Sequence, residues 1–251
     1  MGKGKELLKN TAIVSIGKIS TQLLTFFLLP IYTALLSNEE YGIVDLLNTL
    51  VNLFLPIVTL QIEQGVFRYL VDCREDKSKQ TTIITTIMRF IVIQSLIYIV
   101  IILIVSSFIN NEYKYFLAGN LIVSIFSSIF LQLARGLGDN KSYAVGSFLS
   151  GFAIVVLNVI LIAVFHLGAY GMLLATLLGN LICAIYIFFR KKIYSYIKLK
   201  QNDKKLLKEI LKYSIPLVPN MISWWIVNAS DRTIITAVLG IAQNRNILSS
   251  K

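Results

Sequence analysis

Long apolar runs separated by short polar stretches make up most of this chain. Seven runs stand out, at Thr11–Leu36, Ile43–Val71, Ile83–Ile109, Tyr115–Leu133, Tyr143–Phe165, Ala169–Phe189 and Ile210–Leu239. Backbone that crosses hydrocarbon must satisfy its own polar groups, so a spanning segment is a helix or a strand of a closed barrel. These runs are about twice the length of barrel strands. The pattern therefore predicts an all-α, polytopic transmembrane helix bundle.

Polar residues recur at helical spacing inside three of the segments. In the first, Thr11, Ser15, Lys18, Gln22 and Thr25 share one face. In the second, Asp45, Asn48, Asn52, Pro56, Thr59 and Glu63 form a single stripe. A stripe that carries charge faces other helices or a water-filled cavity, not lipid. Lys18 lies seven residues into the first segment and Glu63 eight residues before the end of the second. At the helical rise the two reach similar depth. They form either a structural ion pair or part of a cavity wall that binds an anion and couples to an ion gradient. In the seventh segment Asn220, Trp224, Asn228 and Asp231 share a face, and Asp231-Arg232 is either an interfacial ion pair or a second cavity wall.

Two arginines flank the loop between the second and third segments. Arg68 follows Gln61, Glu63 and Gln64, and its fork suits phosphate oxygens. For Arg89, snorkelling to lipid headgroups is the favoured reading. The candidate cavity residues are thus Lys18, Gln22, Asn52, Glu63, Arg68, Arg89, Asn220, Asn228, Asp231 and Arg232. Pro30, Pro56, Pro216 and Pro219 all fall within apolar segments, where proline makes kinks and hinges. Ser147 and Gly151 form a small-residue pair suited to close helix packing, and His166 is expected in an outer loop without a role.

Composition agrees with this pattern. The 251-residue chain is 56% hydrophobic and only 15% charged, against about 25% charged in soluble domains. Its net charge of +11 would suggest nucleic acid in a soluble protein. Here the distribution of lysine and arginine accounts for it. With the N-terminus inside, eighteen lie on the cytoplasmic side, nine of them between Arg190 and Lys212, and the first three outer loops hold only Lys114. The positive-inside bias places the N-terminus in the cytoplasm and the chain in the cytoplasmic (inner) membrane. Cys73 and Cys183 have no neighbours at metal-ligand spacing, so no metal site or cofactor is expected. No nucleophile-elbow, P-loop or dinucleotide-binding motif occurs, and the outer loops are too short for a catalytic domain, which argues against an enzyme.

The chain also repeats itself. Shifted by 203 positions, Lys5-Glu6-Leu7-Leu8-Lys9 aligns with Lys208-Glu209-Ile210-Leu211-Lys212, and 10 of 32 positions from Lys5 to Leu36 are identical. The seventh segment thus reads as a second copy of the first, parallel to it because six segments intervene. The expected organisation is a six-helix lobe over residues 1–200, the start of a second parallel lobe over 201–240, and an atypical tail over 241–251.

Four stretches carry a family resemblance: Leu29-Pro30-Ile31-Tyr32-Thr33; Glu40-Tyr41-Gly42 with Asp45-Leu46; Gln64-Gly65-Val66-Phe67-Arg68-Tyr69; and Tyr213-Ser214-Ile215-Pro216-Leu217-Val218-Pro219-Asn220 leading to Asp231-Arg232. Together they resemble the Wzx-type oligosaccharide flippases, in the polysaccharide-exporter branch of the superfamily that includes the MATE transporters. The resemblance implies two six-helix lobes around a central cavity that opens alternately to either side. It also implies a lipid-linked oligosaccharide cargo of the undecaprenyl-pyrophosphate type, contact with membrane lipids, an H+ or Na+ coupling ion, and no nucleic-acid partner. A related multidrug or small-molecule antiporter is the alternative. Relatives continue through further helices, whereas Asn244-Arg245 here replaces the second-repeat equivalent of Tyr41-Gly42. The 251-residue chain is accordingly expected to insert without flipping substrate alone, and either to be degraded or to dimerise; an inert truncated product is a further alternative.

Overall fold

The computed structural model of the chain describes residues 32, 35–106, 112–198, 201–227 and 230. Among them the secondary structure is helical, with no strand. The helices are α1 (Asn38–Thr59), α2 (Ile62–Val71), α3 (Lys77–Ser106), α4 (Lys114–Gly136), α5 (Asn140–Asn158), α6 (Gly168–Arg190) and α7 (Lys204–Ser214). A π-helical stretch, Val159–Val164, prolongs α5, and a 3-10 turn, Ile193–Tyr196, follows α6. Five stretches are long and apolar enough to cross a membrane: Glu39–Thr59, Lys77–Val105, Lys114–Gly136, Asn140–Val164 and Gly168–Arg190. The protein is a multi-pass membrane protein.

Helix starts follow from local side-chain chemistry. The Ser37 hydroxyl accepts from the Glu40 amide at 3.2 Å, and the Glu40 carboxylate takes the Ser37 amide at 3.0 Å. This reciprocal box satisfies two of the free donors at the start of α1. Glu40 also lies against Gly168, where φ is +52°, so the start of α1 is seated on the start of α6. Asp139 caps α5 through the Ser142 amide at 2.9 Å, and Asp203 caps α7 through the amides of Lys205 and Leu206.

Two runs that the hydropathy pattern presents as single helices are divided. The second segment, expected to be continuous over Ile43–Val71, breaks between α1 and α2, where Leu60 and Gln61 both adopt left-handed backbone at φ 52° and 54°. The seventh, expected to begin at Ile210, is preceded by the amphipathic α7. That helix ends at Ser214, a turn occupies residues 215–216, and helix resumes over 217–227. Pro216 lies in that turn; a proline ring cannot continue the preceding hydrogen-bond ladder. Among the described residues the boundaries of the third to sixth segments move by up to about six residues.

α2, α3, α4 and α6 share the main core with the 3-10 turn and α7, through residues such as Ile62, Leu70, Ile84, Leu121, Ile129, Ile187, Ile193 and Ile210, all fully buried. Where α5 meets α6 the helices approach on small residues. A Cβ on Gly146 would meet Ile187 and Cys183, and one on Gly179 would meet Ile154 and, at 3.0 Å, the Ser150 carbonyl oxygen. Close approach of this kind gives the dispersion contact that holds helices together where no hydrophobic drive exists between them. The far half of α3, by contrast, exposes Ile93, Leu96, Ile97, Val100, Ile101 and Ile104. A surface so continuous and apolar fits lipid.

The loops at one end of the bundle gather its basic residues and are tied together by hydrogen bonds. Arg74 donates to the carbonyls of Gly136 and Arg135 at 3.2 and 3.3 Å, and Lys191 pairs with Asp139 at 3.1 Å. The Thr85 hydroxyl donates to the Tyr196 carbonyl and accepts from the Lys198 amide, and the Thr86 hydroxyl accepts from the Asp203 amide. These contacts fasten the connection between α6 and α7 to the start of α3. Arg135 sits between the Phe67 and Tyr143 rings, 4.4 and 5.2 Å from their centroids.

Candidate functional site

The break between α1 and α2 concentrates the buried polarity of the second helix. Thr59, Gln61 and Glu63 are 0%, 4% and 3% exposed. The Thr59 hydroxyl accepts from the Gln61 amide at 3.2 Å, within the turn itself. Two side-chain-bearing residues in left-handed backbone cost about 1–2 kcal/mol each. Such conformations persist where the surrounding structure over-determines them, and they gather at functional positions. Irregular backbone at membrane depth is tolerated only when protein or water covers it. Here Ile62, Val66 and Pro56 are buried beside it. Glu63 lies in the first turn of α2, where the free amides and helix dipole favour a carboxylate. Among the described residues its Oε2 has no hydrogen-bond partner, and Glu63 is in no ion pair.

Two residues after Glu63, α2 meets α7. A Cβ on Gly65 would fall against Ser214 Oγ and 2.6 Å from Ile210 Cγ2. The Ser214 hydroxyl donates to the Ile210 carbonyl at 2.9 Å, which holds its oxygen at the contact. Two of the sequence stretches that carry the family resemblance, Gln64–Tyr69 and Tyr213–Asn220, thus touch at one point. Beyond α7, the Trp225 indole donates to the Thr49 carbonyl at 3.1 Å and joins the 217–227 helix to α1. The chain from α7 to residue 227 therefore touches α2 at Gly65 and α1 at Thr49, on either side of the break.

The sequence candidates divide among these surroundings. Glu63 is buried at the break, as the stripe argument requires of a charged residue. The stripe opens toward the start of α1: Asp45 and Asn48 are half-buried and Asn52 is exposed. Arg68 is exposed and reaches Asp72 at 3.9 Å, one helical turn on. Arg89 is exposed on α3 and Asn220 on the 217–227 helix. Lys18, Gln22, Asn228, Asp231 and Arg232 lie outside the described residues, as do the first segment's polar face and most of the first copy of the repeat. The matched depth of Lys18 and Glu63 therefore stays an expectation. The sequence placed Gln61 in the polar group before Arg68 but marked neither it nor Leu60 as a break. No glycine or proline marks the break, and Pro56, four residues earlier, is the nearest signal.

Residues 7–243 match the polysaccharide biosynthesis protein family. The chain belongs to that family. Among its curated relatives, the Lsg locus putative protein 1 of Haemophilus influenzae is 26% identical over 233 residues, covering 92% of this chain and 57% of the relative. The fold is shared with solved transporters. A crystal structure of MATE in the straight conformation superimposes with a TM-score of 0.69 at 19% identity, over 86% of this chain and 52% of that one. A MOP superfamily transporter from Pyrococcus furiosus, described as having a binding pocket of reversed polarity, gives 0.66 at 19% identity, over 89% and 56%. The family and the fold together bear out the resemblance to the polysaccharide-exporter branch of the MATE-containing superfamily. The chain spans a little over half the length of these relatives.

Proposed function

We propose that this chain supplies one lobe of an alternating-access transporter, not an enzyme, and that its cargo is a lipid-linked oligosaccharide of the undecaprenyl-pyrophosphate type. In this reading the cargo moves from the cytoplasmic to the outer leaflet during surface polysaccharide assembly. The basic end of the bundle faces the cytoplasm, as the positive-inside bias requires. The observation that carries the reading is the divided second helix, with Glu63 buried at its break and the chain from α7 to residue 227 touching it at Gly65 and Thr49. Discontinuous helices at the interface of parallel lobes are where transporters place substrate and coupling-ion sites. The break lets α1 and α2 change their mutual angle without unwinding either helix. In this reading Glu63, on the α2 side, exchanges an H+ or Na+ as that angle changes. Family membership points the cargo toward polysaccharide intermediates, and the exposed Arg68 near the end of α2 offers a fork for a pyrophosphate.

The shared fold supports a second reading, a small-molecule antiporter, since one solved neighbour is a multidrug resistance MATE family transporter. A chimera separates the two. This chain replaces the matching half of a full-length family member that restores surface polysaccharide to a flippase-deficient strain. The oligosaccharide reading expects the chimera to restore polysaccharide, and Glu63→Gln to abolish it at unchanged protein level. Full membrane insertion with drug extrusion and no polysaccharide would favour the antiporter instead.

A further inference from the structure

α7 separates its side chains into two sets. Leu206, Leu207, Ile210 and Leu211 pack into the main core or against it. Lys204, Lys208 and Lys212 are exposed and spaced four apart, so they form one row along the opposite side. Successive lysines in such a row stand about 6 Å apart along the axis. Among the described residues no ion pair involves this row. Like charges at this spacing oppose helix formation in water, and the first turn of a helix is the least favourable place for a cation. Lys204 and Lys205 both occupy that turn. An 11-residue helix is too short to be stable through backbone hydrogen bonds alone. Its apolar side is already packed on α2 and α3, so the lysine row is the side left open to a further partner.

Position narrows the choice of partner. α7 lies between the spanning helix α6 and the 217–227 helix, at the basic end of the bundle, with its cap Asp203 fastened to Thr86 of α3. It is therefore held at the membrane boundary. We propose that the Lys204–Lys208–Lys212 row binds the headgroups of anionic phospholipid, and that this contact keeps α7 seated on α2 at Gly65. The attraction of a lysine to an anionic leaflet at short range is enough, over three lysines, to outweigh the repulsion along the row. The inference does not depend on the cargo. It concerns what holds the helix that packs beside the break.

Hydrogen–deuterium exchange of the full chain in nanodiscs tests it. With phosphatidylcholine replaced in part by phosphatidylglycerol, amide exchange in α7 should slow on the order of tenfold. The triple change Lys204→Gln, Lys208→Gln and Lys212→Gln should remove that difference, and the corresponding triple arginine variant should keep it. A control with Lys77→Gln, Lys79→Gln and Lys141→Gln, at the same end of the bundle, should also keep it. Equal α7 exchange of the native chain in both lipids would overturn the proposal. So would loss of the effect in the control as complete as in the α7 variant, because the basic end as a whole would then be responsible. If inorganic phosphate added to phosphatidylcholine discs slowed α7 equally, the partner would be a free anion and the lipid assignment would fall.

Discussion

The α5–α6 contact and the α2–α7 contact both depend on glycine, and they differ in what stands opposite it. At Gly179 the obstacle to a side chain includes the Ser150 backbone carbonyl of a long continuous helix. At Gly65 the obstacles are the side chains of Ser214 and Ile210 on a helix of 11 residues. The first contact joins two complete spans and can yield only if a whole helix moves. The second joins the short α2, which begins at a strained break, to a helix that a turn separates from the next span. Tight packing therefore occurs in two settings here, a seam between long helices in one place and a seat for a short helix in the other.

The comparison predicts unequal damage. Gly179→Leu should have the largest effect, destabilising the chain by about 3 kcal/mol or more, since overpacking against backbone has no local remedy. Thermal unfolding in detergent should show a lowered Tm with little folded protein recovered. Gly65→Ala should cost less, about 1–2 kcal/mol, because Ser214 and Ile210 can rotate and α7 can lift. Its signature should be local: faster amide exchange in α7 with the exchange of α5 and α6 unchanged. A uniform rise in exchange across the bundle would show that the two seams are not mechanically distinct.

Asp139→Asn should have the smallest effect and sharpens the comparison at the rigid seam. Burial raises the affinity of Asp139 for a proton, but hydrogen bonds from the Ser142 amide and hydroxyl and the Lys191 ammonium outweigh it and hold the carboxyl below its usual value. A depressed folded-state value means that the charge stabilises fully above the unfolded carboxylate range, near pH 4, and that this stabilisation is lost as pH falls through the folded value. Asparagine preserves the helix cap but not the charge. The variant should therefore be less stable by about 1 kcal/mol at pH 7, and the gap should close as pH falls below about 4. Unfolding midpoints measured from pH 7 to 3 check this, and the absence of a gap at every pH would show that Asp139 acts as a cap alone.

Much of the bundle was legible beforehand because lipid imposes a simple rule on composition. Segments three to six appear within a few residues of their expected places, since a helix in hydrocarbon needs only an unbroken apolar run. The second segment was misleading for the same reason. Leu60-Gln61 interrupts the helix without interrupting the hydropathy, and no turn-forming residue announces it. The buried Glu63 was recognisable as out of place in an apolar segment. That it lies just beyond a break was not. Gly65 and Ser214 illustrate a further limit. Both fall in stretches that carry the family resemblance, but their contact joins residues nearly 150 positions apart in sequence, and no local periodicity encodes such a pairing.

By itself the sequence determined that this is a helical membrane protein with one strongly basic set of loops. Those properties follow from transfer of side chains and backbone into hydrocarbon, which depends on composition in short windows. Only the tertiary structure decided that the second helix is divided, that Glu63 is enclosed at the division, and that α7 rests on Gly65 beside it. Left-handed backbone at Leu60 and Gln61 is unfavourable in isolation and is sustained by what packs around it, and a glycine becomes a seat only when another helix arrives to fill it.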